Sequence, residues 1–195
     1  MPVVVIAYPP SAGGNHLKNM LCIDPSFANS NDLDRSKYTK GDREVHSTPG
    51  RNIQDYRISA AETATADYII HGHFGELATQ RDRINALADK KIIVLTIDTE
   101  RDKFLLNTRQ HRLGQMSHPY YLDEEQPYLY QPYFYQTYFT GRPENIYTIA
   151  LNDFWHPNVD NIILGLNTFL NKNVDQEQAQ VLHNHWHINN DINYY

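Results

Sequence analysis

The sequence predicts an α/β fold: a mostly parallel sheet with helices on both faces, in three layers. Three observations lead there. Mostly apolar runs recur at residues 3–7, 68–74, 91–97 and 145–151, the first with three valines and an isoleucine, each about the length of one buried strand. Stretches with apolar residues at helical spacing separate them. The resulting order, β-α-β-α-β-α-β-α-α, is the alternation that builds a parallel sheet through crossover helices. With 195 residues, the chain is long enough for a real core and is read as one domain spanning 1–195.

The first twenty residues organise the rest. Val3-Val4-Val5-Ile6-Ala7 reads as a strand buried on both faces. Tyr8-Pro9-Pro10-Ser11-Ala12-Gly13-Gly14 breaks it, because two prolines remove donors and two glycines permit a tight turn and close backbone approach. Leu17, Met20 and Leu21 then fall at helical spacing from Asn15 onward, with Cys22 at the buried end of that helix. A strand, a small-residue turn and a helix start present backbone N–H groups and a positive helix end to an anion, usually a phosphate.

Residues 24–57 are polar and interrupted by Pro and Gly, which predicts an ordered excursion, either a lid or a peripheral insertion. Residues 60–66 end a short helix. The second strand, from Tyr68, closes on His71-Gly72-His73-Phe74, and one of its two histidines is expected to face a given side. Leu77, Ile84 and Leu87 mark a helix up to Ala88. The run from Lys91 to Ile97 is the clearest strand, and Asp98-Thr99-Glu100 caps the helix that follows. Arg109, His111 and Arg112 suit the negative end of that helix. Seven tyrosines between positions 120 and 138, mixed with phenylalanines and prolines, pack a core or form a surface through which two chains pair. After the fourth strand, Pro157 opens a helix carrying Val159, Ile162, Ile163, Leu166, Phe169 and Leu170, and residues 176–188 form the last helix.

Bulk properties narrow the function. Seventeen basic against 23 acidic residues give a net charge of −6, and Asp123-Glu124-Glu125 lies within the tyrosine-rich stretch, so nucleic acid is not the expected partner. A mean hydropathy of −0.62 and no apolar run near the ~20 residues of a membrane span predict no membrane partner. One cysteine and no basic stretch ahead of the first apolar run predict a reducing, cytoplasmic setting. His183 and His187 stand four apart on the last helix, a spacing that suits zinc; a solvated helix end with favourable charge is the other reading, and no metal is expected.

Four pieces, in order, resemble the sulfotransferase family, a branch of the P-loop nucleoside-triphosphatase fold. Tyr8-Pro9-Pro10-Ser11-Ala12-Gly13-Gly14-Asn15 resembles the phosphosulfate-binding loop, in the family a Tyr-Pro-Lys-Ser-Gly-Thr-Thr-Trp run. His71-Gly72-His73-Phe74 resembles the strand end with the catalytic histidine, which falls on His73. Residues 92–107 resemble the strand and helix that grip the donor's 3′-phosphate, and residues 147–170 the late strand, acidic loop and helix. The resemblance implies 3′-phosphoadenosine 5′-phosphosulfate as donor and a hydroxyl or amine of a small molecule or glycan as acceptor. It implies that backbone N–H groups of Ser11, Ala12, Gly13, Gly14 and Asn15 hold the 5′-phosphate, with His16 adding a donor or a positive charge. His73 would take the acceptor's proton, oriented by Glu76 or replaced by it. The loop lysine of the family falls on Pro10, its 3′-phosphate arginine near Asp98, with Arg101 the nearest substitute, and its serine partner near Asn107. Loss of these charges opens the alternative of a non-catalytic nucleotide- or phosphate-binding protein that keeps the fold.

Overall fold

The computed structural model describes residues 3–9, 12–30, 53–73, 77, 79–87, 89–112 and 143–190. Among the described residues four strands form one all-parallel sheet: β1 (Val3–Tyr8), β2 (Tyr68–His73), β3 (Lys91–Thr96) and β4 (Ile146–Ala150), in the spatial order β2-β1-β3-β4. Between and after them come α1 (Gly14–Leu21), α2 (Ile53–Thr63), α3 (Arg81–Ala86), α4 (Glu100–Arg112), α5 (Leu151–Phe154), α6 (Asp160–Leu170) and α7 (Gln176–Asn189). The α/β class and the four strand runs read from the sequence are those observed.

The reason is burial. Every residue of β1 is buried, and so is β3 from Ile92 to Thr96. Successive strand residues point to opposite faces, so both faces of these two strands are covered. Each fully buried Val, Ile or Leu there contributes roughly 1.5–3 kcal/mol of transfer free energy. The register is fixed along β1 from Val3↔Tyr68 to Tyr8↔His73, which puts the ends of β1 and β2 side by side. The outer edge of β2 is occupied by a side chain instead of a strand. Asn29 Nδ2 donates to Ile69 O at 3.0 Å and Asn29 Oδ1 accepts from Ile69 N at 3.1 Å, satisfying both main-chain groups.

Four local features differ from the sequence reading. The helix expected to carry Leu77, Ile84 and Leu87 up to Ala88 is observed as α3 over Arg81–Ala86, with a turn at Thr79 and Gln80 before it and Leu87 extended after it. A full helix, α2, covers Ile53–Thr63 where the polar excursion was expected to run on to residue 57. Ile58 and Ala61, three apart, are buried on it, while Ser59, Glu62 and Thr63 are exposed, so polar composition masks a narrow apolar stripe. The fourth strand stops at Ala150, and Leu151–Phe154 turn as a short helix. Pro157 does not open α6: the helix begins at Asp160, whose N–H donates to Asn158 Oδ1 at 2.8 Å. Cys22 is buried after α1, as expected, with Sγ donating to Asn29 O at 3.5 Å. No helix among the described residues is long and apolar enough to cross a membrane. The tyrosine-rich stretch, including positions 120–138, lies outside the described residues.

Candidate anion site at the β1–α1 turn

The turn that follows β1 lies at the switch point of the sheet. From β1 the chain moves to β2 on one side, and from β3 it moves to β4 on the other, so the carboxyl ends of β1 and β3 stand at the topological switch point, where open α/β sheets commonly bind ligands. Ala12 N donates to Pro9 O at 3.1 Å, which closes the turn. Gly13 is the N-cap of α1, with φ 93°, and its carbonyl accepts from Leu17 N at 3.0 Å. That φ is left-handed and favours glycine. Space demands it as well: a Cβ at Gly13 would stand 2.6 Å from Trp186 Cζ2 and 3.1 Å from Phe154 Cε1. A Cβ at Gly14 would run into the Tyr8 ring. Ala12 is buried, and its carbonyl accepts from Trp155 Nε1 at 2.9 Å. Two tryptophans from distant segments and the tyrosine that precedes the turn therefore set its shape.

His73 lies beside this turn. Its ring meets Tyr8 edge-on, with centroids 5.2 Å apart. His71 also meets Tyr8: the rings stack at 6.3 Å, and His71 Nδ1 is 3.1 Å from the Tyr8 hydroxyl. The expectation that only one of the two histidines faces a given side is corrected here, because strand residues two apart share a face. The Tyr8 hydroxyl donates to Asn15 Oδ1 at 3.2 Å, so its oxygen is left to accept from His71 Nδ1–H. The structure thus brings His71, His73, Tyr8, Gly14 and Asn15 together at the end of β1 and β2. Ser11, Glu76 and the loop position Pro10 lie outside the described residues.

His16 turns into the core. It is fully buried, stacks on Trp186 at 4.6 Å and 5°, and bonds through Nε2 to His183 Nδ1 at 3.1 Å. Burial, with His183, His187 and Arg109 near it, holds its pKa well below the usual histidine value. A neutral His16 brings no positive charge to the turn. Lys18, the next basic residue of α1, is buried as well. His183 is buried too, against the reading of a solvated helix end. Its Nε2 meets His156 O at 2.9 Å, so both ring nitrogens are engaged, and no group among the described residues is arranged to hold a metal.

The carboxyl end of β3 is acidic and tightly bonded. Asp102 is fully buried, and its Oδ2 accepts from Asp98 N at 3.1 Å, Thr99 N at 2.8 Å and Thr99 Oγ1 at 2.9 Å. Its Oδ1 accepts from Asn152 N at 2.6 Å. Thr99 Oγ1 in turn accepts from Asp102 N at 3.1 Å, so Thr99 and Asp102 cap α4 reciprocally. Thr96 Oγ1 donates to Asp98 Oδ2 at 3.0 Å. Arg101 is exposed in the first turn of α4. Asn107 is six residues further on, about 9 Å along the helix axis, and no donor among the described residues reaches its buried Oδ1.

No family model, curated protein or solved structure matches the chain. The residues themselves are then the basis for a functional reading. Linear spacing missed three of them: Trp155, Trp186 and Arg109. The Arg109 guanidinium lies 5.6 Å from the Trp155 ring and 5.0 Å from the Trp186 ring, buried, with Nη2 donating to Asn190 Oδ1 at 2.9 Å. Its sequence context suggested only favourable charge at a helix end. In chemical terms the turn offers main-chain donors at a helix start and a histidine within reach of the same strand end, framed by aromatic rings, with the Asp98 and Asp102 carboxylates at the end of the neighbouring strand β3.

Proposed function

We propose that the chain is a non-catalytic nucleotide- or phosphate-binding domain of P-loop-like, three-layer build, related to the sulfotransferases and folded as one unit over residues 1–195. The observation that carries this reading is Gly13: a left-handed N-cap at the switch point, opening α1 beyond the central strand. Main-chain N–H groups from Gly13 to Asn15 are the proposed ligands of one phosphate or sulfate group, since the Ala12 N–H already closes the turn on Pro9 O, and the charge comes from the helix start instead of a lysine. Three features favour binding over transfer. Pro10 stands where the resemblance places the catalytic lysine. His16 is buried and neutral. The β3 end is built on Asp98 and Asp102 where a 3′-phosphate arginine is expected. The setting proposed is cytoplasmic, with no nucleic acid or membrane partner.

Calorimetric titration with adenosine 3′,5′-bisphosphate, with ATP and sulfate as controls, tests the reading. Micromolar binding of one of the three, with no consumption of a labelled phosphosulfate donor over hours, is expected. Absence of binding by all three would overturn it.

One observation favours sulfuryl transfer from 3′-phosphoadenosine 5′-phosphosulfate as a second reading: His73 stands next to the turn, paired with Tyr8 across β1 and β2. Under that reading His73 accepts the proton of an acceptor hydroxyl or amine. His73→Ala would then abolish donor turnover, and unchanged turnover would remove the role.

A further inference from the structure

The three helical segments around the turn are joined by a chain of hydrogen bonds whose proton positions the geometry dictates. His156 O is a carbonyl and can only accept, so His183 Nε2, at 2.9 Å, carries a proton. In the neutral ring His183 Nδ1 is then the acceptor. His16 Nε2, 3.1 Å from it, must therefore be the donor. The chain runs from His16 on α1, through His183 on α7, to the main chain after α5. Both rings are fully buried. Trp186, one helical turn after His183, stacks on His16 and lies against Gly13, so the same helix covers the turn.

We propose that this chain is an acid-sensitive latch that holds α7 onto α1 and the segment after α5. A proton added at His183 Nδ1 meets the Nε2–H of His16, donor against donor, and moving the His16 proton to Nδ1 relieves that contact but still leaves a charge on a fully buried ring. A proton added to His16 would put a charge in a site enclosed by Trp186 and Phe154. Besides each other, the charged and titratable groups that shift the two rings among the described residues are His187 on α7, Arg109 on α4 and His156 after α5, all of them basic. No carboxylate is among them; the hydrogen bond from His183 to the His156 carbonyl favours a protonated ring, but burial and the neighbouring basic groups outweigh it.

The sign follows. Burial first, then His187, lowers the His183 pKa to about 4, against about 6.5 for an exposed ring. A latched α7 is therefore favoured above about pH 6.5, and that preference is lost as pH falls from there to about 4. His183 alone then makes opening of α7 roughly 60-fold more favourable at pH 4.5 than at pH 7, and His16 adds in the same direction.

Amide hydrogen exchange of the intact chain, corrected for intrinsic rates, tests this. Protection of α7 amides should fall by about that factor between pH 7 and pH 4.5, while β1 and β3 stay protected. Loss of protection in α7 and the sheet in step, or none in α7, would overturn the latch. Long-range proton–nitrogen spectra of the imidazoles give a second reading on the unaltered protein. Both rings should be neutral with the proton on Nε2 at pH 7, and titration of either near pH 6.5 in the folded chain would sink the proposal. In the His16→Gln, His183→Asn double variant, which carries no titrating ring in the chain, the acid-specific loss in α7 should vanish; its persistence would count against the latch.

Discussion

Gly14 and Asp102 show how much of the site depends on single atoms. The Tyr8 ring lies against Gly14 and is pinned by its hydroxyl bonds to Asn15 and His71, so it has little freedom to withdraw. Gly14→Ala should cost about 2 kcal/mol through overpacking. In a Tyr8→Leu background the same substitution should cost less than about 1 kcal/mol, because the clash is gone. A double-mutant cycle by urea unfolding measures the difference, and equal costs in both backgrounds would show that Tyr8 is not the obstacle. Asp102 is the hub at the carboxyl end of β3. Asp102→Ala strands the N–H groups of Asp98, Thr99 and Asn152, which now end on its carboxylate. A loss of about 3 kcal/mol is expected from unfolding curves; a loss under 1 kcal/mol would mean that water replaces the carboxylate.

At the scale of elements, side chains do work that the sheet and helices leave undone. Asn29 satisfies the edge of β2, so Asn29→Ala should cost about 1–2 kcal/mol and raise exchange at the Ile69 amide first. The segment from Asp24 to Ser30 is tied to the connection between α6 and α7. Lys172 pairs with Asp67 at 2.6 Å and donates to Ser26 Oγ at 2.8 Å, and Asp24 Oδ2 accepts from Asn173 N at 2.9 Å. Burial pushes the Asp24 carboxyl up, but the hydrogen bonds from Asn173 and Ser26 and the Lys172 charge outweigh it and hold the pKa below the ordinary value. The sign is opposite in chemistry to that of the histidines but equal in direction. The ionised carboxylate stabilises the fold above its ordinary pKa near 3.8, and the contribution is lost as pH falls through the lowered value. Melting temperatures between pH 5 and pH 2 should therefore drop less steeply for Asp24→Asn than for the parent chain; parallel curves would show that Asp24 contributes nothing to acid sensitivity.

For the molecule as a whole, both tryptophans report on one place. Trp155 and Trp186 flank the turn, while far-UV dichroism reads all the helices and strands. At pH 7 fluorescence and dichroism should unfold together, as expected of a single cooperative unit. At pH 4.5 the fluorescence change should come first, because α7 leaves before the sheet melts. Non-coincident transitions at pH 7 would argue against one domain over residues 1–195.

The sequence by itself determined the class of fold. Four mostly apolar runs and their helical separators were readable, most clearly where burial on both faces demands an unbroken apolar strand, as in β1 and β3, a local property of composition. It also marked the turn after Tyr8, since Pro and Gly act on their own backbone, and the cap at Thr99, whose partner is three residues away. Only tertiary structure decided the character of the site. His16 reads as a helix-start donor until His183, 167 positions later, is placed against it and buries it as a neutral ring. Arg109 reads as a helix-end charge until Trp155 and Trp186 enclose it. The physical reason is the same in each case. Propensity and turn chemistry act over a few residues, whereas desolvation and pairing, which set charge and tautomer, depend on whichever distant segments fold against them.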